Sequence, residues 1–289
     1  MKHLKDILQE GILSDIDSTV NNMDNDAEKA KLLSWLENYE TYFSDLVIED
    51  DNSIFFKSFK ILNNTEFDGF PEYIKFSKKF QHFMPAVMIR NCPNFKKFNN
   101  FIPALSFLNI LYCTGFEGFK NSKIERVDNA LNIVSCPEFS TFEQFPECYK
   151  FSIRDCNIKN LNTLPKDMNT AWLSLEDLPQ LNDISNMPNT VRDLVLYKLP
   201  KLKNITIPDS VSRLICEKIK AKPEDILINN PEFRNRIIKR AAKLDYNDKE
   251  VQVMLNVGTN EHTFWLGKKF LCTETGSTDE NPKGQKYAF

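Results

Sequence analysis

Six short lines of sequence constrain this chain more than anything else in it. Residues 86–98 read AVMIRNCPNFKKF, 107–119 FLNILYCTGFEGF and 130–142 ALNIVSCPEFSTF. Residues 149–161 read YKFSIRDCNIKNL, 171–184 AWLSLEDLPQLNDI and 193–205 DLVLYKLPKLKNI. Each has two apolar residues two apart, a Cys or Leu three residues later, then two further apolar residues. The pivots are Cys92, Cys113, Cys136, Cys156, Leu178 and Leu199, at steps of 21, 23, 20, 22 and 21 residues. Self-similarity at that period means a repeat architecture, in which no single unit buries its own apolar side.

The alternation in Leu131-x-Ile133, Phe151-x-Ile153, Leu173-x-Leu175 and Leu194-x-Leu196 has period two. It predicts a short strand with one buried face, because four or five residues are too few for a helix. One strand per line, always in the same sense, predicts a parallel sheet, with the rest of each line as the crossover. The pairs Phe95/Phe98, Phe116/Phe119 and Phe139/Phe142 are expected on the core side of the outer turn, giving way to Leu181/Ile184 and Leu202/Ile205.

These lines resemble the leucine-rich repeat family, whose strand segment reads L-x-x-L-x-L-x-x-N/C. The match runs through Val87, Ile89, Cys92; Leu108, Ile110, Cys113; Leu131, Ile133, Cys136; and Phe151, Ile153, Cys156. The continuation at Cys92-Pro93-Asn94-Phe95 and Cys136-Pro137-Glu138-Phe139 is similar to irregular repeats of plant immune receptors. The first Leu of the signature is mostly missing: Asp128 and Thr170 stand there. The resemblance implies an α/β leucine-rich-repeat solenoid, with a parallel sheet on its concave face, an irregular convex side and helical caps at both ends.

Four regions are expected: a helical N-terminal cap (1–45), the solenoid (46–219), a C-terminal helical cap with a hairpin (220–272) and a flexible tail (273–289). In the first, residues 1–22 read as a short helix. A second helix, capped by Asp24 or Asn25, reaches about Phe43 and presents Leu32, Trp35, Leu36, Tyr39, Tyr42 and Phe43 to the end of the array. Residues 46–83 read as degenerate first repeats. Phe59-x-Ile61 forms the strand and Asn64 the pivot, and a second strand is expected near Ile74-x-Phe76. Leu214-x-Cys216 reads as a last strand. Pro223-Glu224-Asp225 predicts one helix start and Pro231 another, running to about Leu244. Alternation in Val251, Val253, Leu255 and Val257, and again from Phe264 to Leu266, predicts a hairpin.

A net charge of −3 argues against a general nucleic-acid binder. The basic run Arg234, Arg236, Lys239, Arg240, Lys243 reads as a solvated helix face, diluted by Glu232 and Asp245. No apolar run of 18 residues or more suggests a membrane span, and the N-terminus lacks the uninterrupted apolar stretch of a signal peptide. Seven cysteines, four of them at pivots, are read as reduced, which places the chain in the cytoplasm. Cys148 and Cys156 flank a strand and would not converge on a tetrahedral metal. No cofactor is implied. A nucleophilic pairing of Cys272 with His262 is the one enzymatic option, since some bacterial effectors join such repeats to a catalytic cysteine, but no local motif supports it.

The strongest candidates lie between and just after the buried strand pairs: Arg90, Tyr112, Arg154, Asp155, Trp172, Glu176, Asp177 and Tyr197, on a face shared with Met88, Asn109, Leu111, Asn132, Val134, Ser152, Ser174, Val195 and Lys198. Tyr, Trp and Arg are the residue types that anchor interfaces, and the flanking acids favour a protein partner with basic groups. The expectation is a non-enzymatic protein-binding module. The rivals are an enzyme with its chemistry in residues 223–272 and a structural component of a larger assembly such as a virus particle.

Overall fold

The computed structural model describes residues 23–202 apart from 121, and beyond them 205–208, 210–211, 213–217, 226–228, 251–256, 261–266 and 269–274. It is a parallel-strand β-solenoid with little helix. The long sheet takes one strand from each turn in chain order: Ser58–Leu62, Ala86–Arg90, Leu105–Leu111, Arg126–Val134, Lys150–Arg154, Trp172–Glu176, Asp193–Tyr197 and Arg213–Glu217. All seven neighbouring pairs are parallel. Equivalent residues face each other without slippage, as in Ile110↔Ile133 and Ile133↔Ile153, except for one bulge between Val127 and Ala130.

The alternation does what its period requires. Val87, Ile89, Leu108, Ile110, Leu131, Ile133, Phe151, Ile153, Leu173, Leu175, Leu194 and Leu196 are buried on one side of the sheet. At the end of each strand the chain must turn inward. The residue before each pivot does this by entering the left-handed region: Asn63, Asn91, Tyr112, Ser135, Asp155, Asp177 and Lys198 all have φ between 49° and 58°. Its N–H still extends the ladder, as in Tyr112 N–H to Val134 O (2.7 Å) and Asp155 N–H to Glu176 O (3.1 Å). The pivot then falls into the core, and a tight turn follows with Phe95 N–H to Cys92 O and Leu181 N–H to Leu178 O, each 3.2 Å. Pro93, Pro137, Pro179 and Pro200 stand directly after a pivot, the turn position for which a fixed φ is suited. At Gly115 a side chain is excluded outright, because a Cβ there would lie 2.3 Å from Pro93 O.

The four pivot cysteines form a column and are free thiols. Each Sγ–H donates to the carbonyl two residues back, for example Cys92 to Arg90 O and Cys136 to Val134 O, both 3.4 Å. Cys113 and Cys136 also reach Ile89 O and Ile110 O of the preceding strand, at 3.6 and 3.7 Å. Burial pushes the Cys113 thiol up to about 11 and the Cys156 thiol up to about 12, and raises Cys136 and Cys148 as well. Behind them Phe67, Phe95, Phe116 and Phe139 stack as a ladder, with centroids 5.7, 5.5 and 5.7 Å apart. A second ladder joins Phe70, Phe98 and Phe119 at 6.2 and 6.3 Å.

Several expectations change. The helix Met23–Tyr39 begins too early for Asp24 or Asn25 to be its cap, and it stops before Tyr42 and Phe43, which come from a 3₁₀ turn and a short strand. Its Leu32 and Leu36 are buried, and Trp35 and Tyr39 pack on Phe70 and Phe67 at 5.7 and 5.5 Å. Residues 58–85 make one long turn, since Lys75–Phe76 pairs with Ser53–Phe55 instead of joining the long sheet. Ile226–Ile228 is a strand parallel to Ile205–Ile207, where Pro223-Glu224-Asp225 predicted a helix. The expected hairpin forms from Val251–Asn256 and Glu261–Leu266, and a third strand, Lys269–Glu274, extends two residues into the expected tail. These strands continue the long sheet antiparallel from Arg213–Glu217. The helices expected at 1–22 and from Pro231 to Leu244, the basic run 234–243, and the rest of the tail lie outside the described residues. Among the described residues no helix is long and apolar enough to cross a membrane.

Candidate functional site

The residues that alternate with the buried pairs face away from the core and align in rows. The row at the strand ends runs Leu62, Arg90, Leu111, Val134, Arg154, Glu176 and Tyr197. One residue further on lies the left-handed column that includes Tyr112, Ser135, Asp155, Asp177 and Lys198. Seven of the eight candidates therefore fall at the same edge of the sheet: Arg90, Arg154, Glu176 and Tyr197 in the row, Tyr112, Asp155 and Asp177 in the column. Trp172 does not join them. It stands at the start of its strand between Lys150 and Asp193, about 13 Å of extended chain from Glu176.

At this edge lies an open groove of about 510 Å³ lined by Tyr112, Val134, Ser135, Arg154, Asp155, Asp177, Pro179, Lys198 and Pro200. Its charges are unevenly paired. Asp177 holds two cations, Lys198 Nζ at 3.0 Å and Arg154 Nε at 3.7 Å. Asp155 instead accepts the Ser135 hydroxyl at 2.8 Å. Cations also lie over both tyrosines: the Arg90 guanidinium is 5.5 Å from the Tyr112 centroid and Lys198 Nζ is 5.2 Å from that of Tyr197. Glu176 accepts the Ser174 hydroxyl at 2.6 Å. The acidic edge expected from Asp155, Glu176 and Asp177 is thus partly neutralised from within.

The middle of the face is less open than its sequence position suggests. Ser174, expected on the open face, is fully buried, and Asn132 donates to Asn109 Oδ1 at 2.6 Å, a side-chain ladder within the sheet. At the other edge Phe107 and Tyr149 are 42% and 46% exposed. Together with Trp172 they make that edge aromatic. The candidates that sequence reasoning left out are Ser135, Pro179 and Pro200, and it placed Lys198 on the face without marking it as a binding residue. The signal for Ser135 and Lys198 was positional: every line has a residue immediately before its pivot.

The sheet register pairs His262 with Glu274 and Phe264 with Cys272. This puts His262 and Cys272 on neighbouring strands, two positions out of step. Among the described residues no three His, Cys, Asp or Glu side chains are grouped so as to hold a metal ion. Comparison with protein-family models, with curated proteins and with solved structures finds no match to this chain.

Proposed function

We propose that the protein is a non-enzymatic binding module of the leucine-rich-repeat type, acting in the cytoplasm, and that it recognises a partner protein with the outward face of its parallel sheet. One observation carries the reading. Five of the six successive turns from Arg90 to Tyr197 deliver Arg, Tyr, Glu or Asp side chains in register to one edge of the sheet, and Tyr112, Arg154, Asp155 and Asp177 among them line an open groove. At about 4.8 Å per strand the six turns span roughly 24 Å, the scale of a protein epitope. Arg and Tyr anchors at such an edge support the reading, because large amphipathic side chains dominate interface energies. In this view the helix Met23–Tyr39 caps the first turn, covering apolar surface that a repeat array otherwise exposes.

The test is affinity purification with the wild-type chain and a Trp172→Ala/Tyr197→Ala variant, which removes one aromatic from each edge. Recovery of a specific partner should fall about tenfold or more, as expected when hot-spot residues are truncated. Equal recovery from both proteins would overturn the reading. A partner held at fixed ratio by both would instead favour a structural assembly.

A further inference from the structure

Within the groove one turn contributes only small side chains, which leaves a recess between its larger neighbours. Val134 and Ser135 are small outward residues, with Tyr112 one turn before them and Asp155 one turn after. Across this gap Tyr112 and Asp155 are two strand spacings apart, about 9.6 Å between backbones. Tyr112 is 46% exposed. Arg90, from the preceding turn, lies 5.5 Å from the centroid of its ring, a cation–π contact that shows the ring within reach of cationic groups. Arg154 and Lys198, the cations lining the groove, are both drawn to Asp177. Asp155 has no cation within ion-pair distance among the described residues; its carboxylate holds only the Ser135 hydroxyl as a side-chain partner.

We propose that this recess takes the basic side chain, lysine or arginine, of an extended segment of the partner protein. The charged head pairs with Asp155, and the alkyl stem lies on Val134 and along the Tyr112 ring. Charge complementarity selects this occupant: the local carboxylate is unneutralised and the wall beside it is aromatic. The inference rests on the outward face being a binding face, and it names the chemistry of one point on it.

The experiment follows backbone amide shifts of the full chain during titration with n-butylammonium chloride, with n-butanol as the uncharged control. A second pair of probes is a seven-residue Gly/Ser peptide with a central lysine and the same peptide with that lysine acetylated. Saturable shifts should appear at the Tyr112, Ser135 and Asp155 amides with n-butylammonium and the lysine peptide only. Asp155→Asn keeps the acceptor for Ser135 and tolerates a left-handed φ. It should weaken binding roughly five- to tenfold, the scale of losing a charge-assisted contact near the surface. Tyr112→Asn should weaken it about threefold. Equal shifts with n-butanol, or no effect of Asp155→Asn, would overturn the site. Binding of n-butylammonium without the lysine peptide would overturn the partner segment as its occupant. A silent recess in a chain whose Trp172→Ala/Tyr197→Ala variant still loses its partner would sink the recess alone. A responsive recess with an unaffected partner would sink the wider reading alone.

Discussion

The first turns and the last turns of this solenoid share one sheet but fill the space behind it differently. From Phe67 to Phe142 the outer side is aromatic, with two phenylalanines per turn, and the pivots after Asn64 are cysteines. From Ile158 to Leu202 the outer side is aliphatic, and after Cys156 the pivots are Leu178 and Leu199. The later turns add polar fasteners. Asn186 donates to Leu161 O at 3.1 Å and Leu164 O at 2.7 Å, and Thr170 donates to Cys148 O at 2.9 Å. An earlier counterpart is Asn100, which donates to Pro71 O and Ile74 O at 2.6 and 2.8 Å while its own Oδ1 is buried without a partner. Strand register does not change between the two regions. The lesson is that backbone pairing on the inner side sets the repeat, and the outer side accepts any filling of suitable volume.

The sharpest way to test that contrast is to cut into each filling. Phe116 stacks between Phe95 and Phe139, at 5.5 and 5.7 Å. Phe116→Ala should cost about 3–5 kcal/mol, and Leu181→Ala should fall near the low end of about 2–5 kcal/mol. A Phe95/Phe116 double-mutant cycle should add a coupling of about 0.5–1.5 kcal/mol beyond area burial. Urea unfolding measures all three. A larger loss for Leu181→Ala would break the distinction between the two regions.

The inner side was legible from sequence and much of the outer edge was not, for physical reasons. Alternation and side-chain volume are local, so the strands, the pivots and the phenylalanine ladders follow from reading the lines one above another. The long first turn was obscured because Lys75–Phe76 looks like any other short strand, and which sheet it joins depends on Ser53–Phe55. Pro223-Glu224-Asp225 has good first-turn chemistry for a helix, yet Ile226–Ile228 finds a tertiary partner in Ile205–Ile207, and pairing overrides propensity there. The candidate edge was partly visible. Alternation showed which residues face outward, but not that Arg154 would be spent on Asp177, that Ser174 would be covered, or that Trp172 would stand at the opposite edge.

A second, smaller effect separates the pivots. In the earlier turns they carry an ionisable thiol and in the later ones, at Leu178 and Leu199, they do not. The raised thiols of Cys113 and Cys156, at about 11 and about 12, lie above the usual value near 9 because burial disfavours the thiolate. The folded chain holds those protons more tightly than the unfolded chain. Their contribution is therefore fully present below about pH 9 and is lost as pH rises towards 11–12. By pH 10 Cys113 and Cys156 should each cost roughly 1 kcal/mol of stability. Urea midpoints at pH 7 and pH 10 should show this fall, and Cys156→Ala should make it shallower. A fall of the same size in a variant lacking all four pivot thiols would assign it to other groups.

The smallest effect compares the two misfits, one in each region. Asn and Asp tolerate a left-handed backbone and occupy the column at Asn63, Asn91, Asp155 and Asp177, whereas Tyr112 and Lys198 hold φ values of 57° and 51° with long side chains. Tyr112→Asn should relieve strain and stabilise the chain by about 0.5–1 kcal/mol. Lys198→Asn relieves the same strain but removes the 3.0 Å pair with Asp177. That pair is half exposed on the lysine side and is worth about 0–1 kcal/mol, so the net change should lie near zero. Thermal unfolding of both variants reads the difference. A gain from Tyr112→Asn alone, together with weaker cation binding, would mean that the chain retains a strained tyrosine for contact and not for folding. A loss of stability from Tyr112→Asn would show that its half-exposed ring packs usefully against its neighbours, and the backbone argument for a binding role would fall.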